Sequence, residues 1–391
     1  MGFVVIPHNA EPYFEVYDES TLLKAVDFSM KPGANPTGDG SAAAISPDGR
    51  WVAVGHYNSP YVAVYDTTTW ARVTLSGGNP ADTVRDISFS PDGSLMALAH
   101  YTSPFLTVYN TTTWAKVTIT GGNPEDICGS CRFSPSGAHL AVGHSTAPFL
   151  TVYAVSGWSK VSLPTTPPSE TLGVDWLPSG ELVATNDRQF RVYNPVDWSS
   201  ELKPASALSY APRQIQVSPD GSKLMCSNWL ISRGPTLINV SDWSVVSFNS
   251  GPPAGATRFA FIDGGSNCLF VSTQSPYLFR LNMSTLVFSG VAGSSYIADR
   301  WRPAVGGSSL KFLKTTAADP VRGPDGNAIG GVTVRAHRRS DGAVIGMGTT
   351  AANGSYTLGP FMLDHVEAQV LFMDPAADPL YNDLLIRVIP A

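Results

Sequence analysis

The chain has 391 residues, a net charge of −6 and only 14% charged residues, against 43% hydrophobic residues. Its length and apolar content allow more than one buried core, and its charged fraction is well below the usual quarter of a globular protein. A negative net charge without a basic run argues against a nucleic-acid partner, and no apolar stretch is long enough to span a membrane.

The N-terminal residues carry no recognisable targeting signal. Met1–His8 has no basic region and has too short an apolar segment for a signal peptide. Ile6 stands where N-myristoylation requires serine or threonine. We therefore expect synthesis in a cytosol, although a weakly charged surface rich in Ser, Thr, Gly and Asn is typical of proteins that act outside cells.

A supersecondary unit recurs through most of the chain. Its mark is a turn, Ser-Pro-Asp-Gly in the clearest copies, whose position returns at intervals of 44, 44, 43, 41 and 44 residues. The turn positions are Pro47, Pro91, Pro135, Pro178, Pro219 and Asp263. A period in this range is that of a four-stranded propeller blade. The repeat therefore predicts a β-propeller.

One repeat shows the four strands of such a blade. Asp86–Phe89 alternates polar and apolar residues, and Leu95–Ala99 and Phe105–Tyr109 are two apolar segments. A Thr-rich turn that ends at Trp114 precedes the last strand, Ala115–Ile119. No stretch of the chain keeps a 3.6-residue apolar period, so we expect almost no helix.

The two ends of the repeat region predict one more blade. Tyr13–Leu22 matches the third strand and the following turn of the repeat, without the first two strands. Ser295–Asp299 and Ser309–Leu313 could supply those two strands. A blade shared in this way closes the ring and leaves no free edge. We therefore predict an all-β chain with a seven-bladed propeller over residues 1–314.

Residues 315–391 do not follow the repeat. Gly331–Ala336, Asp341–Gly346 and Asn353–Leu358 are short apolar segments joined by Asp-Gly and Asn-Gly turns. Such turns between short strands indicate hairpins. We expect a small β-sandwich after the propeller, of a size near the lower end of domain sizes.

The four cysteines are interpreted as core residues. Cys128 and Cys131 have the spacing of a metal half-site, but no second pair or nearby histidine completes a metal set. In the preceding repeat the corresponding residues are apolar, and Cys226 and Cys268 fall in second strands. We expect neither a disulfide scaffold nor a bound metal, and no cofactor.

Histidines recur at one end of three successive blades. His56, His100 and His144 are spaced by 44 residues and each follows a second strand. One interpretation is a hydrogen bond that recurs because the blade recurs. The other is a polar, aromatic docking surface on the face formed by these loops and the connections between blades. The candidate binding residues on this face are His56, Tyr57, His100, Tyr101, His144, Asn186 and Trp229.

Motifs of catalysis are absent from the sequence. It has no Gly-x-Ser-x-Gly elbow, no His-Glu-x-x-His pair and no phosphate-binding loop. Nearly every aspartate lies in an Asp-Gly turn or at a strand end, where turn formation explains it. We therefore assign no catalytic residue. The alternative is a carboxylate–asparagine metal set around the channel, as in lactonase-like propellers.

Two families share motifs with this chain. Ser46–Gly49, Val52–His56 and Val64–Trp70 resemble the repeats of WD40/YVTN-type propellers, over about residues 13–314. Gly331–Val334 through Asn353–Tyr356 resembles the carboxypeptidase-regulatory-like, transthyretin-like sandwich. The ending Tyr381–Ala391 resembles the terminus of such modules in tailed-bacteriophage virion proteins.

The resemblance implies a structural, non-enzymatic virion component. Its expected place is the tail (fibre, tip or baseplate), after synthesis in the host cytoplasm, and its expected partners are other virion proteins and copies of itself. The propeller would adsorb to a host surface glycan or protein receptor. The alternatives are a capsid decoration protein and a propeller enzyme that acts on a lactone or a host polysaccharide.

Overall fold

The computed structural model of the chain has two compact units, Phe3–Gly306 and Gly307–Ala391 with Met1–Gly2. In the first unit it describes residues 2–8, 13–26, 38–203, 208, 212–227, 234–252, 258–272, 278–291 and 304–306. In the second unit it describes the backbone of 311–314, 333–338, 344–349, 357–361, 368–373 and 385–388.

Seven antiparallel sheets follow one another along Phe3–Gly306, which confirms the predicted seven-bladed propeller. We number the blades in chain order from 1 to 6 and call the seventh the closing blade. Blade 1 contains Gly40–Ile45, Trp51–His56, Val62–Asp66 and Ala71–Arg72. Blade 2 contains Val84–Phe89, Leu95–His100 and Leu106–Asn110. Blade 3 contains Cys128–Phe133, His139–His144, Leu150–Ala154 and Ser159–Lys160. Blade 4 contains Val174–Trp176, Leu182–Asn186, Gln189–Tyr193 and Ser200–Lys203. Blade 5 contains Gln214–Val217, Lys223–Ser227, Thr236–Asn239 and Val245–Val246. Blade 6 contains Arg258–Ile262, Asn267–Val271, Leu278–Asn282 and Val287–Gly290.

Helix is almost absent from the described part of the chain, as predicted. The single helical element there is the 3-10 turn Asp263–Gly265, which takes the place of the Ser-Pro-Asp-Gly turn in blade 6. In blade 2 an isolated bridge between Tyr109 and Lys116 stands where the other blades have a fourth strand.

The closing blade takes strands from both ends of the propeller. Ala304–Gly306 pairs with Phe3–Pro7, which pairs with Phe14–Asp18, and Lys24–Val26 forms the outer edge. The second strand is therefore N-terminal, and only the innermost strand comes from the far end of the propeller.

This arrangement corrects the predicted source of the closing strands. Ser295–Asp299 lies outside the described residues. Ser309 and Leu310 lie outside them too, and Lys311–Lys314 pairs with Thr357–Phe361 instead of the closing blade. The motif Tyr13–Leu22 was correctly placed at the third strand, but the apolar segment Phe3–Pro7 before it was not recognised as a strand.

A tight turn after the third strand marks every blade. In blade 1 the Trp70 backbone amide donates to the Asp66 carbonyl at 2.6 Å, with Trp70 at a φ of 56°. The equivalent residues also have positive φ, and they are Leu22, Trp114, Trp158, Trp198, Trp243 and Leu286. The five tryptophans are buried, so this turn aims a large ring into the core of each of these blades.

Polar side chains of the innermost strands bind the backbone of the next blade. Ser88 Oγ accepts from the Phe133 amide at 3.2 Å, and Ser130 Oγ accepts from the Val174 amide at 3.1 Å. In the following blades the Val217 amide donates to Asp175 Oδ2 at 2.8 Å, and Gln214 Nε2 donates to the Phe259 carbonyl at 2.8 Å. The Phe261 amide donates to Gln216 Oε1 at 3.3 Å. These bonds connect blades 2 to 6 around the central channel.

The Ser-Pro-Asp-Gly turns stack at the opposite end of the blades from the His-bearing loops. Gly221 has a φ of 73°, and a Cβ placed on it would lie 2.9 Å from Cδ of Pro178 in the preceding turn. Gly137 stands in the same way over Pro91, at 3.6 Å. Both turns favour glycine because they need positive φ, and at Gly221 the neighbouring proline also leaves little room.

The cysteines are core residues, as predicted. Cys128, Cys131, Cys226 and Cys268 are all buried free thiols. Burial raises the pKa of Cys226 to about 12, and it also raises the pKa of the other three thiols. The thiols therefore stay protonated at neutral pH.

The C-terminal unit contains a two-stranded and a four-stranded antiparallel sheet. Lys311–Lys314 pairs with Thr357–Phe361 in the first of them. The order in the second sheet is Val344–Thr349, Thr333–Arg338, Ala368–Met373 and Leu385–Val388. The predicted boundary after residue 314 thus lies one strand beyond the division between the units, and the packing of the two sheets as a sandwich stays a prediction.

Candidate functional site

The three recurrent histidines lie inside the propeller. His56 is 1% exposed, and His100 and His144 have no exposed surface. The rings of His100 and His144 place Nε2 3.0 Å from the hydroxyl oxygens of Thr107 and Thr151 of the third strand. All three rings therefore lie in the interior, beneath the loop that joins the second and third strands of their blade.

Blade 1 differs because Ala63 stands where the other two blades have threonine. His56 Nδ1 instead donates to the Gly38 carbonyl at 2.9 Å. Burial lowers the pKa of His56 and of His100 to about 4, against the opposing effect of their backbone hydrogen bonds. Burial also lowers the pKa of His144. The rings are therefore neutral at neutral pH.

The loop after each histidine is closed by the backbone. The amide of His100 donates to the Phe105 carbonyl at 2.9 Å, and the Phe105 amide donates to the Thr102 carbonyl at 2.8 Å. The same pair of bonds joins His56, Asn58 and Tyr61 in blade 1. Each loop is thus a compact platform on the end of two buried strands.

Two tyrosines project from these platforms. Tyr57 is 38% exposed and Tyr101 is 48% exposed, whereas the histidine that precedes each of them is buried. Thr83, at the entry to blade 2, donates its hydroxyl to the Tyr57 carbonyl at 3.2 Å and so ties this loop to the next blade. Blade 3 has Ser145 at this position, which donates to Asp126 Oδ2 at 3.0 Å.

Arg85 lies beside the two tyrosines. It is the extra residue of a β-bulge in the innermost strand of blade 2, because Val84 pairs with His100 and Asp86 pairs with Ala99. Its guanidinium carbon lies 5.7 Å from the centre of the Tyr101 ring, a distance at which a cation is attracted to an aromatic face. The bulge takes this side chain out of the alternating register of the strand.

Charged groups from blades 4 and 5 complete this region. Arg213 Nη2 lies 3.2 Å from Glu170 Oε1. Burial lowers the pKa of Arg85, and the positive charge of Arg213 lowers it further. Tyr57, Tyr101 and Glu170 act in the opposite direction and raise it. Glu170 of blade 4 and Arg213 of blade 5 thus act electrostatically on Arg85 of blade 2. We call Tyr57, Arg85, Tyr101, Glu170 and Arg213 the channel mouth.

The structure thus separates the predicted binding residues. Tyr57 and Tyr101 belong to the channel mouth, whereas His56, His100 and His144 lie beneath its surface. Asn186 ends the second strand of blade 4 and pairs with Gln189 across the following turn. Trp229 lies outside the described residues.

Sequence reasoning missed the three charged members of the channel mouth. Arg85 and Arg213 each stand six residues before the turn proline of their blade, at Pro91 and Pro219. This common register is the signal that could have found them. It was hidden because the other blades carry uncharged residues there, such as Ser41 and Gly129.

In the described part of the chain, no helix has the length and apolarity needed to cross a membrane. Within the same ranges, no three His, Cys, Asp or Glu side chains are grouped closely enough to hold a metal ion.

The comparisons with known proteins support the fold. No family model matches the chain, and no curated protein matches it. Among solved structures, that of U3-55K, a WD40 protein, is similar, with a TM-score of 0.51 and 12% sequence identity over 65% of this chain and 80% of that chain. The chain therefore contains a WD40-like seven-bladed β-propeller, and an identity this low extends the likeness to the fold alone.

Proposed function

We propose that this protein is a non-enzymatic structural component of a bacteriophage virion, located on the tail, whose propeller adsorbs to the host surface. The resemblance of Tyr381–Ala391 to the ends of modules in tailed-phage virion proteins supports this assignment. The low fraction of charged residues is in keeping with a protein displayed outside a cell.

The observation that carries the binding role is the channel mouth. Tyr57 and Tyr101 present rings to solvent from loops that are closed by backbone hydrogen bonds and supported by buried histidines. Tyrosine side chains on a rigid frame lose little conformational entropy when they bind, and they offer both an apolar ring and a hydroxyl group. This combination favours recognition of a partner over simple reinforcement of a shell.

The proposed partners within the particle are other virion proteins and further copies of this chain. Several copies on one tail would bind a host surface by avidity, so that a weak contact at each channel mouth is sufficient. The C-terminal unit would join the protein to the particle in this arrangement, while the propeller faces outward.

Immunogold labelling of intact phage particles with antibody against the recombinant propeller tests the location. We expect label at the tail end. Label over the capsid would replace the tail assignment with that of a decoration protein, and particles without label would overturn the virion proposal.

Adsorption to host cells tests the binding role. We expect particles that carry Tyr57→Ala together with Tyr101→Ala to adsorb about tenfold more slowly, because the exposed rings of the channel mouth are lost. Val196→Ala is the matched control, because Val196 is 87% exposed in a turn at the opposite end of blade 4. Equal adsorption by the double variant and the control would contradict the binding role.

A further inference from the structure

A cleft of about 200 Å³ lies on blade 2, between its third strand and the segment that follows the Trp114 turn. Its lining is apolar at Leu106, Val117 and Ile119 and polar at Asn79, Asn123 and Lys116. A concave, largely apolar lining with a few polar groups is the usual form of a small-molecule site. We call this the blade 2 cleft, and it shares no residue with the channel mouth.

Lys116 brings a positive charge to the cleft. Its Nζ donates to the carbonyl of Asn79 at 2.7 Å, which uses one of the three N–H donors of the ammonium group. Among the ion pairs of the described residues, none includes Lys116. The lysine is thus held by a neutral carbonyl and keeps donors for a further acceptor.

The next blade shows which group binds the equivalent lysine. Lys160 follows Lys116 by 44 residues, and Glu125 follows Ala81 by the same interval. In blade 3 the Nζ of Lys160 lies 3.0 Å from Oε1 of Glu125. In blade 2 the position of that glutamate is taken by Ala81, which lines the cleft. Blade 2 therefore keeps the cation of this pair and has a cleft beside the position from which blade 3 supplies the carboxylate.

We propose that the blade 2 cleft binds a uronic acid residue, whose carboxylate pairs with Lys116 as the carboxylate of Glu125 pairs with Lys160. This inference goes beyond the proposed function, because it concerns a second site and holds whether or not the protein is part of a virion. It assigns a chemical class to the ligand, namely a sugar that carries a carboxyl group.

The remaining lining residues account for the sugar. The amide groups of Asn79 and Asn123 can each donate and accept hydrogen bonds, as the hydroxyl groups of a sugar also do. The apolar side chains of the lining suit the C–H face of a pyranose ring. A volume of about 200 Å³ lies below the range of sites for drug-sized ligands, so it suits a single ring.

The site is formed before a ligand arrives. The Tyr109 hydroxyl donates to the Gly78 carbonyl at 2.7 Å, and the Gly77 amide donates to the Trp114 carbonyl at 2.9 Å. A Cβ placed on Gly77 would lie only 2.5 Å from the backbone nitrogen of Lys116. These contacts hold the connection that carries Asn79 against the segment that carries Lys116, so little ordering is needed on binding.

The test is a titration of the full-length protein by saturation-transfer difference NMR. The probes are galacturonate and glucuronate, their neutral counterparts galactose and glucose, and cyclohexanecarboxylate, which has a carboxyl group on a ring without hydroxyl groups. We expect a uronate to bind at least about tenfold more tightly than the neutral sugars and cyclohexanecarboxylate, because these lack one of the two kinds of polar group.

Two variants test the role of Lys116. Lys116→Gln should weaken uronate binding about tenfold, because the charge-assisted bond is lost. Ala81→Glu restores the carboxylate that blade 3 has, and its pairing with Lys116 should also weaken binding about tenfold. Lys160→Gln is the matched control for the first variant. Ala71→Glu is the control for the second, because it adds the same charge at an exposed position of blade 1.

Several outcomes would overturn the assignment. These are binding of neither uronate, equal binding of the neutral sugars, and normal binding by a Lys116→Gln variant of native thermal stability. Equal binding of cyclohexanecarboxylate would show a carboxylate site without preference for a sugar. A loss with Ala71→Glu as large as that with Ala81→Glu would mean that net charge, and not this cleft, governs binding. Slow adsorption by the tyrosine variants together with no uronate binding would leave the proposed function standing while this site fails.

Discussion

The Arg132 guanidinium donates from Nη1 to Asp86 Oδ2 at 2.7 Å, across the seam between blades 2 and 3. The same oxygen accepts from the Cys131 amide at 3.1 Å, and Asp175 of blade 4 acts electrostatically on Arg132 from the other side. Burial would lower the pKa of Arg132, but the carboxylates of Asp86 and Asp175 raise it above its usual value. This arginine thus joins blades 2 and 3 through an ion pair and interacts electrostatically with blade 4.

Loss of this arginine should be costly. Arg132→Met leaves the buried carboxylates of Asp86 and Asp175 without their cation, and we expect it to lower the free energy of unfolding by about 3 to 5 kcal/mol. Ser88→Ala, which removes one hydrogen bond in the same seam, should cost about 1 kcal/mol. Urea unfolding of both variants measures the difference, and similar losses would show that the charge network contributes no more than a single bond.

The buried histidines should make stability depend on pH. The folded pKa of His56 and of His100, about 4, lies below the unfolded value of about 6.5, so the unfolded chain binds protons first as the pH falls. Each histidine therefore contributes stability that is complete above pH 6.5 and is lost as the pH falls toward 4, on the order of 3 kcal/mol per ring.

Replacement of one ring should flatten this dependence. We expect the free energy of unfolding of His100→Gln to change less between pH 7.5 and pH 4.5 than that of the wild type. His139→Gln, at a half-buried ring, is the control and should change the slope less. Denaturant titrations at a series of pH values provide the measurement, and parallel curves for His100→Gln and the wild type would refute the assignment of the titration to His100.

The stacked turns provide a test of backbone conformation. Gly221→Ala puts a methyl group at positive φ and against Pro178, and we expect a loss of about 1 to 3 kcal/mol. Gly157→Ala should cost about 0.5 kcal/mol or less, because a Cβ there meets no atom within 4 Å and its φ is not positive. Thermal unfolding compares the two, and equal midpoints would mean that the turn of blade 5 relaxes freely.

The closing blade should be sensitive to its N-terminal strand. Ile6 is fully buried in a cluster that includes Leu269 and Val271 of blade 6. We expect Ile6→Ala to lower the free energy of unfolding by about 2 to 5 kcal/mol, because it leaves a cavity between the closing blade and blade 6. Val196→Ala, at an exposed site, should leave stability unchanged. An unchanged urea midpoint for Ile6→Ala would argue that this blade does not limit the stability of the propeller.

The repeated features of the fold were predictable from sequence. The spacing from Pro47 to Asp263 fixes six blades, because each turn needs the same residues at the same place. The closing strand Ala304–Gly306 was not predictable in this way. It is three residues long and carries no turn motif, and its partner is about 300 residues away in the chain.

The candidate site was only partly predictable for a related reason. Tyr57 and Tyr101 were found because they belong to a repeated loop, but repetition alone could not show that the adjacent histidines are buried. Glu170 and Arg213 come from blades 4 and 5 and act electrostatically on Arg85 of blade 2 only because the ring folds these blades around one channel. A local sequence pattern carries no information about such an encounter.

Because the closing blade combines strands from both ends of the propeller, its sheet can be completed only late in synthesis. A ribosome makes Phe3–Pro7 first, but the strand that completes its sheet, Ala304–Gly306, emerges only after six further blades. Domains generally form as their segments leave the ribosome. The inner edge of Phe3–Pro7 therefore stays unpaired, and open to pairing with other strands, until nearly the whole ring has been translated. The last step of assembly pairs the first strand of the propeller to be synthesised with the last one.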